Sequence, residues 1–166
     1  MKSNSAFAFS LGAWALALFP AAAATRGPSA AEVSAMLRAE GPKATIDWLW
    51  ADERRADAVS YRIAGGNPTW LRLAVALRPG ADAAAAEGLD IAVSQALAHN
   101  PAGVLRIAVP TFPLKSTCGD NRIEPSPAEV RLFRGQALAA LRSLRAPELR
   151  SARDVCLAIF RKDNPS

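Results

Sequence analysis

The fold class turns on NPAGVLRIAV, residues 100–109. Its second half, residues 104–109, is the one segment of the chain with the branched, apolar character of a strand. Its first half says helix. Asn100 is a good N-cap residue, whose side-chain oxygen takes a free amide, and Pro101 fits the first helical position, where a missing amide costs nothing. Read as a helix to about residue 109, the stretch leaves the chain with no strand, and the expected fold class is all-α.

Working outward, the punctuation repeats itself. Ser29-Ala-Ala-Glu32 and Ser126-Pro-Ala-Glu129 are capping boxes, in which the Ser oxygen and the Glu carboxylate each satisfy an amide at the helix start. The first opens a helix to about residue 40, closed by Gly41-Pro42. A second is expected over 43–64, closed by Gly65-Gly66. Asn67-Pro68 restarts the chain into a third, 69–78, whose Trp70, Leu71, Leu73, Val75 and Leu77 surround it and mark it as central. Pro79-Gly80 ends that helix, and a fourth runs from about 82 to 99 with Leu89, Ala92, Val93 and Ala96 on one face. After an irregular stretch, 110–125, the second box starts a helix to about 144 facing inward with Val130, Phe133, Ala137, Leu141 and Leu144. The last helix, 147–161, carries Leu149, Ala152, Cys156, Ile159 and Phe160 on one stripe. The expectation is a compact array of about six to seven antiparallel helices.

NPTWLRLAV at Asn67 and NPAGVLRIAV at Asn100 lie 33 residues apart, near the period of helix-pair repeats. The match is brief and needs a one-residue gap, so chance similarity between two Pro-started helices is the preferred reading and a short stack of antiparallel helix pairs the residual one. Trp48 and Trp50, two apart on one helix, point to nearly opposite sides. That suits a helix sandwiched between neighbours.

The beginning of the chain reads as an export signal. Lys2 is followed by the uncharged apolar run AFAFSLGAWALALF, Pro20 breaks it, and Ala22-Ala23-Ala24 offers a small-x-small cleavage site. The run is shorter than the roughly 20 residues of a membrane span. Residues 1–24 are expected to be removed, leaving a single helical domain over 25–166 that meets the membrane only through the transient signal. The Ala- and Arg-rich composition suggests a bacterium, and hence a periplasmic address. The net charge of +5 falls by one with Lys2, and the remaining surplus lies entirely from Ser126 onward.

Two cysteines in an exported chain point to a disulfide. A Cys118–Cys156 bond would close a loop of about 40 residues, strap the Pro-rich segment 110–125 to the last helix and stabilise the fold by roughly 4 kcal/mol. Two free buried thiols are the alternative. The loop CGDNRIEPS, 118–126, is no calcium loop: counted from Asp120, the positions that need an oxygen ligand, Gly and Glu hold Arg122, Pro125 and Arg131.

Catalytic furniture is sparse. His99 is the only histidine, which excludes a multi-histidine metal site, and its place at a helix end suits a cation favoured by the helix dipole. There is no nucleophile elbow and no phosphate-binding Gly loop. Asp52, Glu53 and Asp57 in DERRAD could serve a carboxylate hydrolase. Their spacing to Arg54 and Arg55 instead reads as a solvated face with pairs Asp52–Arg55 and Arg54–Asp57. No cofactor, metal or catalytic residue is assigned.

Arg131, Arg134, Arg142 and Arg145 fall within about 80° of one another at roughly 100° per residue, with Arg150 and Arg153 continuing the theme. Either their stems cover core edges, or they form a ridge that docks an acidic protein surface. Nucleic acid is disfavoured, because no aromatic residues are interleaved with the basic ones. The reading is a non-enzymatic periplasmic protein-binding domain, of an inhibitor or immunity type or an envelope accessory protein. The rival classes are a small carboxylate-based cell-wall hydrolase and a binder of anionic lipid or polymer through the C-terminal arginines.

Overall fold

Asn100 does what the deciding stretch requires of it. In the computed structural model, which describes residues 27–162, its Oδ1 accepts the Gly103 amide at 2.9 Å and Pro101 opens helix α5, Pro101–Thr111. Its Nδ2 donates to the Gly66 carbonyl at 2.8 Å, so one side chain caps its own helix and staples the preceding Asn-Pro turn. Glycine is required at both ends of this staple. A Cβ on Gly103 would lie 2.5 Å from Asn100 Nδ2, and Gly66 sits at φ +71° with Asn100 Cβ only 2.9 Å from its Cβ position.

Eight α-helices and no strand are found among the described residues. They are α1 (Ala30–Trp50), α2 (Glu53–Ala64), α3 (Pro68–Leu77), α4 (Ala83–Gln95), α5, the single turn α6 (Leu114–Thr117), α7 (Pro127–Ser143) and α8 (Arg150–Lys162). Short 3-10 turns continue α3, continue α4 at Ala96–Ala98 and precede α8. The all-α array and its disulfide are as the sequence leads one to expect. The apolar start, residues 1–24, lies outside the described residues.

Three boundaries differ. Gly41-Pro42 kinks a helix instead of ending it: Gly41 leaves helical geometry (φ 80°, ψ 176°) and the chain resumes helix at once. The helix expected over 43–64 is broken at Ala51-Asp52, because Asp52 is an N-cap whose side chain accepts the Arg55 amide at 3.2 Å. That cap replaces the expected Asp52–Arg55 side-chain pair. The irregular stretch begins later than 110, since α5 carries Pro110 in its last turn, and it holds α6.

α2 packs on α4 and α3 packs on α5; α7 then packs on the end of α4 and α8 on α7, while α1 lies against α3. α2 thus lies along α4, and α7 against the Ala96–Ala98 turn that continues it. α3 is central as expected, with Trp70, Leu71, Leu73, Ala74 and Leu77 buried. Where the α1 kink meets the end of α3, Gly80 has the Pro42 carbonyl carbon 2.3 Å from its Cβ position, which no larger residue could accept. Trp48 and Trp50 are each half-buried, Trp48 under the Arg55 guanidinium at 5.0 Å and Trp50 against Gly88.

The strap is in place. Cys118 and Cys156 are disulfide-bonded across 38 residues with Cα atoms 4.9 Å apart, and both are fully buried. Ser94 Oγ donates to the Gly119 carbonyl at 2.5 Å and Asn121 donates to the Ser116 carbonyl, fixing the loop on both sides of Asp120. The loop's role is to hold α7 and α8 onto the α4–α5 pair.

Candidate functional site

Structure redistributes the arginines of the expected ridge. Arg131 and Arg142 are exposed on α7. Arg134 is half-buried and donates to the Phe160 carbonyl in the last turn of α8. Arg145 lies beyond the end of α7 and donates to the Arg142 carbonyl at 2.7 Å, satisfying a helix-end acceptor. Arg153 binds Asp154 and the Leu144 carbonyl, and Arg150 is exposed. Arg134 and Arg145 are thus tied to backbone acceptors, and of the four only Arg134 is withdrawn from solvent. Of the DERRAD carboxylates, Asp52 is a cap and Glu53 and Asp57 are exposed.

Arg134 lines a 290 Å³ depression with Arg122, Val130 and Phe160, and a longer concave feature lies along α4. One stripe of α4, running through Ala83, Glu87, Asp90, Ile91, Gln95 and on to Ala98, is flanked by α2 on one side and by the strap and α7 on the other. It floors three adjoining depressions of 450, 170 and 540 Å³. Ile91 is shared by the first two, and Tyr61 and Gln95 by the second and third. The spacing is that of one helix face, with α2 and α6 packed on α4 and α7 packed on the Ala96–Ala98 turn that continues it.

The largest depression is walled by α2 (Tyr61, Arg62, Ala64) and α7 (Glu129, Leu132, Phe133, Gln136), with Arg122 of the strap and His99 at its rim. His99 is exposed there, directly after the 3-10 turn that ends α4. Tyr61 and Leu132, on opposite walls, are 82% and 62% exposed. Large apolar side chains held out on two sides of one cleft are unusual on a monomer surface, where singly scattered ones are normal. Gln95 and Gln136 add amide groups that can both donate and accept.

Its charges are largely balanced from within. Arg122 Nη2 and Nε bind Asp120 at 2.6 and 2.8 Å, and its guanidinium lies 5.5 Å over Phe133. These hydrogen bonds hold the Asp120 carboxyl below the usual range and push the Arg122 guanidinium up. Arg62 donates to the Pro28 and Gly27 carbonyls at 2.8 and 3.4 Å while stacking on Trp70, and so clamps the entering chain. Glu129 closes its capping box, and the Ser126 hydroxyl and amide lower its pKa.

At the other end of the groove Asp90 faces Arg78 at 3.4 Å. Burial raises its pKa, and the Arg78 charge pulls the other way. Glu87 is exposed there with no ion-pair partner among the described residues. No cluster of three or more His, Cys, Asp or Glu able to hold a metal occurs among the described residues.

Sequence reasoning missed Tyr61 and Leu132. The signal was present. Tyr61 stands two positions from both Val59 and Ile63, the buried pair of α2, and so must point away from them. Leu132 sits beside the inward Phe133, a quarter-turn off the buried stripe of α7. What the sequence lacks is the relation between the two, which depends on α2 and α7 packing on the same helix. Compared with known proteins, the chain matches no family model, no curated protein and no solved structure.

Proposed function

We propose that this is an exported, periplasmic protein-binding domain that receives a segment of another protein in the groove along α4. The observation that carries the reading is the pairing of Tyr61 and Leu132, exposed on facing walls of a 540 Å³ cleft. Support for export comes from the apolar start of the chain and from a buried disulfide, a bond that persists in oxidising compartments. No helix among the described residues is long and apolar enough to cross a membrane. An inhibitor or immunity-type protein, or an accessory subunit of an envelope assembly, would use such a groove. The expected acidic contact through the C-terminal arginines now rests on Arg131, Arg142 and Arg145, the three exposed members of that set.

The test is site-specific crosslinking in the cells that make the protein. A photoreactive residue at position 61 or 132 should give a discrete adduct that the same residue at Arg72, on α3, does not. Adducts from Arg131 and Arg142 but not from 61 or 132 would move the interface to the arginine face.

A further inference from the structure

The groove has a polarity that specifies its occupant, and this inference rests on the protein-binding reading above. The cleft between Tyr61 and Leu132 is close to electrically neutral. Arg122 is matched by Asp120 at 2.6 Å, and the walls carry one further charge of each sign, Arg62 bound to backbone carbonyls and Glu129 closing its capping box. At the far end, Asp90 is matched by Arg78, which leaves the exposed carboxylate of Glu87 as the unbalanced charge. The groove therefore offers an apolar slot at one end and an anionic end-stop at the other. Between them lie Ile91, Tyr61 and the Gln95 amide.

We infer that the occupant is an extended segment of a partner protein, with a large apolar side chain in the Tyr61–Leu132 slot and a Lys or Arg beside Glu87. The spacing follows from the floor. Glu87 to Ala98 is eleven residues of helix, about 17 Å at 1.5 Å per residue, which an extended chain covers in about five residues at roughly 3.3 Å each. A helical occupant lying along the same floor would need about eleven residues for that distance.

A display library of random ten-residue peptides, panned on the protein purified from its producing cells, tests this. Enriched peptides should carry an aromatic or branched apolar residue with Lys or Arg four to six positions away. Their affinity should fall more than ten-fold for Leu132→Glu and for Glu87→Lys, both exposed positions, with unchanged circular dichroism and melting. Peptides that bind both variants as well as the parent, enriched peptides rich in Asp and Glu, or no enrichment at all would overturn the assignment. So would a concentration-dependent dimer that Leu132→Glu dissolves, since the occupant would then be a second copy. If crosslinks at 61 and 132 persist while the peptides fail, the protein-binding reading stands and only this description of the occupant falls.

Discussion

Single residues decide this fold through hydrogen bonds more than through bulk. Asn100 caps α5 and staples the α2–α3 turn, two roles that Ala cannot fill. Asn100→Ala should cost about 1–2 kcal/mol, read as a lowered denaturation midpoint with unchanged slope. Carboxylates set the acid limit. The pKa values of Glu32 and Glu129 are lowered by their Ser cap partners, and that of Asp120 by Arg122. Their folded forms prefer to be ionised, so their contribution is present above the ordinary carboxylate range and is lost as pH falls through the lowered values, below about pH 4.

Asp90 runs the opposite way. Burial raises its pKa, so the fold favours its protonated form, and its contribution diminishes as pH rises through the raised value. Melting temperature should accordingly drop on acidification below about pH 4. Glu129→Gln, which keeps a capping partner but cannot titrate, should flatten that acid limb. An acid limb identical in the variant would show that the box does not contribute to it.

At the scale of elements, the sequence announces helix starts more clearly than helix ends. Ser29, Asn67, Asn100 and Ser126 are legible as caps because each precedes a Pro or a Glu in a recognised position, and all four cap as expected. Asp52 has neither mark. It looks like one member of a charged helical face, and only the turn at Ala51 reveals it as a cap. Gly41-Pro42 misleads for a different reason. Gly41 supplies the left-handed residue and Pro42 the first position of a new turn, so the two together permit a kink as readily as a stop.

The strap was legible from two cysteines and a signal-like apolar run at the start of the sequence, and its energetic weight can be measured. Cys118→Ser should lower stability by roughly 2–4 kcal/mol. Because both sulfurs are fully buried, the parent protein should show no thiol reactive to alkylation until it is unfolded and reduced. Alkylation of either cysteine in the folded, oxidised protein would contradict that account.

For the whole molecule, the fold class and the disulfide were within reach of the sequence, whereas the groove was not. Helix periodicity places Val59 and Ile63 inward on α2 and Phe133 and Ala137 inward on α7, but it is silent about which helices stand side by side. That arrangement, α2 on α4 and α7 on the turn that continues α4, turns two unremarked side chains into the walls of one cleft. It also explains the arginines: once α8 packs along α7, Arg134 reaches the end of α8 and ceases to be free.

The central claim is that Tyr61 and Leu132 mark the surface a partner covers, and hydroxyl-radical footprinting in the native envelope reads it directly. Val109 and Val155, 73% and 43% exposed, serve as references within the same molecule. The account predicts that oxidation of Tyr61 and Leu132, relative to those two valines, is several-fold lower in the envelope than in the purified protein. Equal oxidation of all four in both settings, or protection of Val109 or Val155 in place of Tyr61 and Leu132, would contradict it.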